Sequence, residues 1–293
     1  MTEQQFHGID LANGPANLGK SWATDDGKTL KFTHSERRDV PVVRTAIDSP
    51  FGTSHGFWAL LSNKLPDHQS EDGFKSRQTE IRLRETVNQY ECVQRWRNRS
   101  TQERKLHPRE PFFNGGGHVQ STLAMRIVPE CLKFIIEQFQ TRDSEASKAA
   151  MLKARMGEGK IVEAHPRMFL YSILERLFRN KKIGLEELNF AAKYKSGIGP
   201  EARETLLDLI CENTDWFSSH RTLDLSEIRQ ELIESDHQFD SALCVLTGWA
   251  HYNNECVTWE SAQIDKSFVE TEGHILVLDC ACDDDQKKVE NTL

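Results

Sequence analysis

Apolar and polar positions divide this chain into β-like stretches at its ends and around residue 160, separated by long helical runs. Phe6 to Leu11 is a short apolar run broken by Asn13-Gly14-Pro15, and Lys20 to Thr24 resumes it. Asp25-Asp26-Gly27 then turns the chain into the alternating, half-buried pattern of Lys28 to Thr33, so the opening reads as a β-hairpin. Val40 to Ile47 predicts a further β-branched strand, stopped by Ser49-Pro50-Phe51-Gly52. From His55 to about Arg155 the period becomes helical, with Gln120 to Gln140 the most apolar part, a loop before it at Gly115-Gly116-Gly117 and, at Pro129, either a kink or a break between two consecutive helices. Lys160 to Ala164 predicts a strand, and Pro166 is placed to open a helix over Arg167 to Phe178. Two or three polar helices follow between 181 and 229, around Gly197-Ile198-Gly199-Pro200. Phe239 to Tyr252 predicts a buried helix and Gly273 to Leu278 a terminal strand, while the charged tail Asp283 to Leu293 predicts disorder. This order of elements predicts an α/β fold with helices covering a mixed sheet.

At 293 residues the chain can bury a sizeable core in one large domain or two small ones. Without an apolar window near the ~18 residues of a membrane span, or the basic-apolar-small succession of a signal peptide, it is expected to be cytoplasmic with no membrane partner. Seven cysteines, odd in number and widely spread, are expected to be reduced thiols. Only Cys280-Ala281-Cys282 is close-spaced, and with no second pair to complete a zinc site it reads as small residues at a strand end.

The net charge of −8 opposes indiscriminate binding to nucleic acid. The charge is unevenly spread, however. Between Lys75 and Arg109 ten Lys or Arg stand against four Glu, a local surplus of six that leaves −14 for the remainder. A helical arm there, carrying Tyr90 and Trp96 with Arg77, Arg82, Arg84, Arg95 and Arg97, is one candidate for guiding a polyanion. The same run also reads as a solvated amphipathic helix.

Four acidic segments carry the candidate chemistry: Gly8-Ile9-Asp10, Ala46-Ile47-Asp48-Ser49-Pro50, Val162-Glu163-Ala164-His165-Pro166 and Asp236-His237-Gln238-Phe239-Asp240. Three place a carboxylate at the end of a β-like run, and the fourth puts two on one helical stripe. Metal-ion hydrolysis of a phosphodiester uses two cations about 4 Å apart, one to generate hydroxide and one to stabilise the leaving oxygen. Mg²⁺ or Mn²⁺ suits such a site, being held by a few carboxylates with water and substrate completing the shell. Asp10 and Asp48 are expected to face one crevice at the carboxyl edge of the sheet, with Glu163 beside them and Asp240 closing from above. Asp236, or His165 two residues beyond Glu163, is the expected proton carrier or supporting group, and Lys20 and Arg167 are further candidates for phosphate contact. Each position also has a plain structural use: an Asp at a strand end forms turns, a Glu there caps the next helix, and Asp236 or Asp240 serves as an N-cap.

Taken in order, Gly8-Ile9-Asp10 followed by a small-residue turn and Trp22, Ile47-Asp48-Ser49-Pro50, Glu163-Ala164-His165-Pro166-Arg167, and Asp236-X-X-X-Asp240-Ser241-Ala242 opening an apolar helix resemble the family called domain of unknown function 429. Its members are predicted nucleases of the RNase H superfamily, closest in layout to Holliday-junction resolvases. The resemblance covers about residues 6 to 54, 158 to 180 and 234 to 280. It implies an RNase H-like mixed sheet flanked by helices, a DNA or RNA substrate, and metal ligation by Asp10, Asp48, Glu163 and Asp240, with Asp236 a weaker candidate. Arg77 and Glu80 resemble a family Arg-X-X-(Asp/Glu) element. The implied division is a core of 1–54, 158–180 and 230–282, helical insertions at 55–157 and 181–229, and a tail at 283–293.

Two other functions compete. Gly14-Pro15-Ala16-Asn17-Leu18-Gly19-Lys20-Ser21 matches the phosphate-binding P-loop of nucleoside triphosphatases, which requires a helix to follow it, whereas Trp22 to Phe32 reads as turn and strand. The acidity and large insertions also suit a non-catalytic binding or assembly subunit, and the apolar stretch Leu123 to Phe139 suits a homodimer or other protein contact. Gly115-Gly116-Gly117-His118 reads as a connector or a lid. Cys244 and Cys256 read as core, and His107, His118, His237 and His251 as solvated or capping residues.

Overall fold

The computed structural model describes residues 2–10, 19–48, 78–98, 144–218 and 221–280. Its elements are strands β1 (Gln4–Asp10), β2 (Gly19–Asp25), β3 (Thr29–Thr33) and β4 (Val42–Asp48), helices α1 (Gln78–Gln89), α2 (Glu91–Arg97) and α3 (Ser144–Met156), strand β5 (Ile161–Ala164), and helices α4 (Pro166–Arg179), α5 (Leu188–Lys193) and α6 (Gly199–Glu212). Strand β6 (Thr222–Asp224), helices α7 (Arg229–Glu234), α8 (Asp236–Tyr252) and α9 (Lys266–Glu272) and strand β7 (Ile275–Leu276) complete them. The expected glycine connector, the kinked run around Pro129, the apolar stretch Leu123 to Phe139, His107, His118, Arg77 and the charged tail lie outside the described residues.

The strands form one mixed sheet in the order β6-β3-β2-β1-β4-β5-β7. Strand β2 runs against both of its neighbours, and every other pairing is parallel. Local chemistry makes the β2–β3 turn. Asp25 accepts from the Gly27 amide at 2.7 Å, Asp26 accepts from the Lys28 and Thr29 amides at 2.8 Å, and Gly27 takes φ +93°, where a side chain is disfavoured. Strand β6 departs from the expected all-helical 181–229. Three residues are too few to show a period, and the strand exists because it completes the exposed edge of β3.

Helix α8 lies across β1, β2 and β4. Residues 239–250 are buried, as the apolar run predicted, although the helix begins at Asp236, where Ser235 accepts from the Gln238 amide. Two glycines allow the approach: a Cβ on Gly8 would strike the Ser241 carbonyl and the Val245 amide nitrogen, and one on Gly19 would strike the His237 carbonyl. Hydrogen bonds from Ser21 to Ser241 at 2.7 Å and from the Trp249 indole to Asp25 at 2.8 Å fix the helix on the hairpin.

The described part of the basic arm, residues 78–98, is helical, as expected, but Tyr90 and Trp96 do not project toward a ligand. Tyr90 and Trp96 are buried in the core with Val87, Cys92 and Val93. Such burial is what the apolar face of an amphipathic helix achieves when it finds a partner. The partner is α4, whose buried Glu175 accepts from the Glu91 and Cys92 amides at 2.8 and 2.9 Å and from Arg179 at 2.6 Å. Burial removes both aromatics as platforms for stacking bases.

Candidate functional site

Strands β1 and β4 are parallel neighbours in a register that pairs Asp10 with Asp48, so both carboxylates leave the last rungs of the ladder on one face. It is the face on which Gly8 admits α8. Helix α8 brings Asp240, 0% exposed, over the same edge, and the charges of Asp10 and Asp240 both act on Asp48. Sequence positions separated by nearly the whole chain therefore meet.

Burial, then the charges of Asp10 and Asp240, holds the Asp48 carboxyl well above the ordinary range. Burial likewise raises Asp240 to about 6, with Asp10 adding to the rise and Lys195 and Tyr194 opposing it. Beneath them the Cys244 thiol, also raised first by burial and then by the three aspartates, donates to the Ile9 carbonyl at 3.6 Å. Cys244 is thus the floor of the site, in keeping with a core reading.

Glu163 and Asp236 take different positions. On β5, Glu163 pairs with Ile47 and Ala164 with Asp48, so Glu163 leaves the sheet on the opposite face, and of the groups acting on Asp48 it contributes least. Asp236 is half-buried in the first turn of α8, and its charge bears on Arg203. His165 ends up as the N-cap of α4, its Nδ1 accepting from the Met168 amide at 3.5 Å, because the strand stops at Ala164.

Two residues at the site, Tyr194 and Lys195, escaped the sequence reading, and a third, His237, was expected to be solvated or capping but pairs with Asp10. His237 places Nδ1 2.8 Å from the Asp10 Oδ2, a pairing in which the ring nitrogen donates when the carboxylate is ionised. Lys195, on the loop between α5 and α6, forms an ion pair with Asp240. Tyr194 lies fully buried beside it, its ring 5.5 Å from the Arg167 guanidinium and 5.6 Å from the Lys195 ammonium. One signal was available for His237: it precedes Asp240 by three positions, a spacing that shares a helix face as surely as the four that drew attention to Asp236. Nothing local marks Lys195, which reaches the site only through tertiary folding.

Of the candidate phosphate contacts, Arg167 lies in this group. Lys20 is exposed, and pairing with Ile9 sends it off the sheet face opposite Asp10. Arg82 and Arg95 are exposed and pair with Glu85 at 3.0 Å and Glu91 at 2.5 Å. The side chains of Arg84 and Arg97 lie outside the described residues. Of the P-loop-like segment, Gly19-Lys20-Ser21 belongs to strand β2, so the helix that such a loop needs does not follow it.

The donor set suits a hard divalent cation. Asp10, Asp48 and Asp240 offer only oxygen, two are raised by enclosure and mutual repulsion, and Asp240 is ion-paired with Lys195. Among the described residues no three His, Cys, Asp or Glu donors are already drawn to liganding distance around one point.

The chain matches no protein-family model, no curated protein and no solved structure. No helix among the described residues is long and apolar enough to cross a membrane.

Proposed function

We propose that this chain is a metal-dependent nuclease with an RNase H-like core, hydrolysing phosphodiester bonds of DNA or RNA. The observation that carries the reading is the in-register pair Asp10 and Asp48 at the adjoining ends of parallel strands, with Asp240 set over them by α8. An opening three-strand meander with the fourth strand laid parallel to the first supports the fold reading.

Asp10, Asp48 and Asp240 would hold Mg²⁺ or Mn²⁺, which when bound supplies an activated water and charge stabilisation at the leaving oxygen. Glu163, leaving from the other face, is kept outside this trio. His237 is placed to hold Asp10 in one orientation and to carry a proton at the mouth, since its side chain is 34% exposed. Arg167 supplies fixed positive charge beside Tyr194 for a phosphate.

The test is incubation with labelled DNA, RNA and hybrid duplexes in Mn²⁺, beside Asp10→Asn. The variant is expected to cleave on the order of 10²-fold more slowly or worse. Equal cleavage by both proteins would sink the nuclease reading. A non-catalytic assembly role, in which the Lys195–Asp240 pair is purely structural, predicts no cleavage by either.

Metal binding should also depend on pH. Asp240 must shed its proton to act as a ligand, and its carboxyl is raised to about 6, so Mn²⁺ affinity should be weak in mildly acid buffer and grow as pH rises through that value. Calorimetric titration across the range, showing affinity independent of pH, would remove Asp240 from the ligand set.

A further inference from the structure

We propose that Lys195 is a tethered cation occupying the charge position of the acid cluster, so that a divalent ion must displace its ammonium from Asp240 before it can bind there. The inference rests on the nuclease reading and adds to it a residue that governs metal occupancy.

The two partners differ in exposure. Asp240 is 0% exposed, whereas the Lys195 side chain is 37% exposed and stands on a short loop. Residues Ser196, Gly197 and Ile198 of that loop are exposed, and open space surrounds Gly197. A buried carboxylate cannot leave the pair, but a long ammonium side chain at the surface can turn into water. Lys195 is also attracted by Asp48 and Asp10, so its charge serves the whole trio. A cation delivered by the chain itself lowers the free-energy gain from a second cation at the same carboxylates. The polyanionic substrate offers Lys195 an alternative partner. Binding of a phosphate near the mouth would draw the ammonium away and free Asp240, making metal affinity and substrate affinity mutually reinforcing.

Mn²⁺ alone is the probe, titrated by calorimetry into metal-free full-length protein, wild type beside Lys195→Met and Lys195→Arg. Lys195→Met is expected to bind Mn²⁺ about tenfold more tightly, and Lys195→Arg, which keeps the charge, to bind as wild type does. Thermal melting supplies a second reading: Lys195→Met should melt lower without metal, having left a buried carboxylate unpaired, and should gain more from added Mn²⁺ than wild type does. Equal or weaker binding by Lys195→Met overturns this inference and leaves the nuclease reading standing. Absence of binding in all three proteins overturns both.

Discussion

Gly8→Ala is expected to destabilise the protein by about 3 kcal/mol or more, because the added methyl would meet main-chain atoms of α8 at Ser241 and Val245 rather than a side chain that can turn aside. Helix and strand would have to part, and Asp240 would move off Asp10 and Asp48. Chemical denaturation measures the first effect and Mn²⁺ titration the second. Gly197→Ala, with nothing within 4 Å of the new atom, serves as control and should stay within about 0.5 kcal/mol of wild type. If the two substitutions proved equally mild, the direct contact of α8 on β1 would be refuted.

Asp48→Asn should have the opposite effect on stability and abolish cleavage. In the folded protein the Asp48 carboxyl is raised by burial and by the charges of Asp10 and Asp240, whereas in the unfolded chain it titrates at about 4. Between those two values the folded state holds a proton that the unfolded state has released. The carboxyl's penalty is therefore absent at low pH and grows as pH rises from the unfolded value through the folded one. Asn carries no charge and escapes the penalty. Its stabilisation should be slight in acid and grow toward neutrality. Denaturation midpoints of both proteins at several pH values check the sign. A variant less stable than wild type at neutral pH would mean that Asp48 is satisfied by partners rather than strained by neighbours.

Much of the sheet was legible in the chain because its strands are local and well punctuated. The Asp25-Asp26-Gly27 turn, the stop after Asp48 and Pro166 at the start of α4 all act within a few residues. The meeting of Asp10 with Asp48 followed from two apolar runs ending in the same residue type. What could not be read depended on tertiary register. Glu163 and Ala164 differ by one position, and the pairing of Ala164 with Asp48 decides which face each takes. Strand β6 has no pattern of its own. Tyr90 and Trp96 look the same in sequence whether an amphipathic helix faces water or a neighbouring helix, and the Glu175 carboxylate that accepts from the Glu91 and Cys92 amides lies more than eighty residues from them. Lys195 was one cation among many until folding set it against a buried acid.

The bond between His237 and Asp10 joins residues 227 positions apart. A ribosome adding about 5–20 residues per second would complete the first strand roughly 10–45 s before α8 emerges. Throughout that interval the growing polypeptide carries Asp10 without His237 or Asp240, so the acid cluster is assembled only after α8 has been made. Fragments released before that point would lack the helix that closes the cluster.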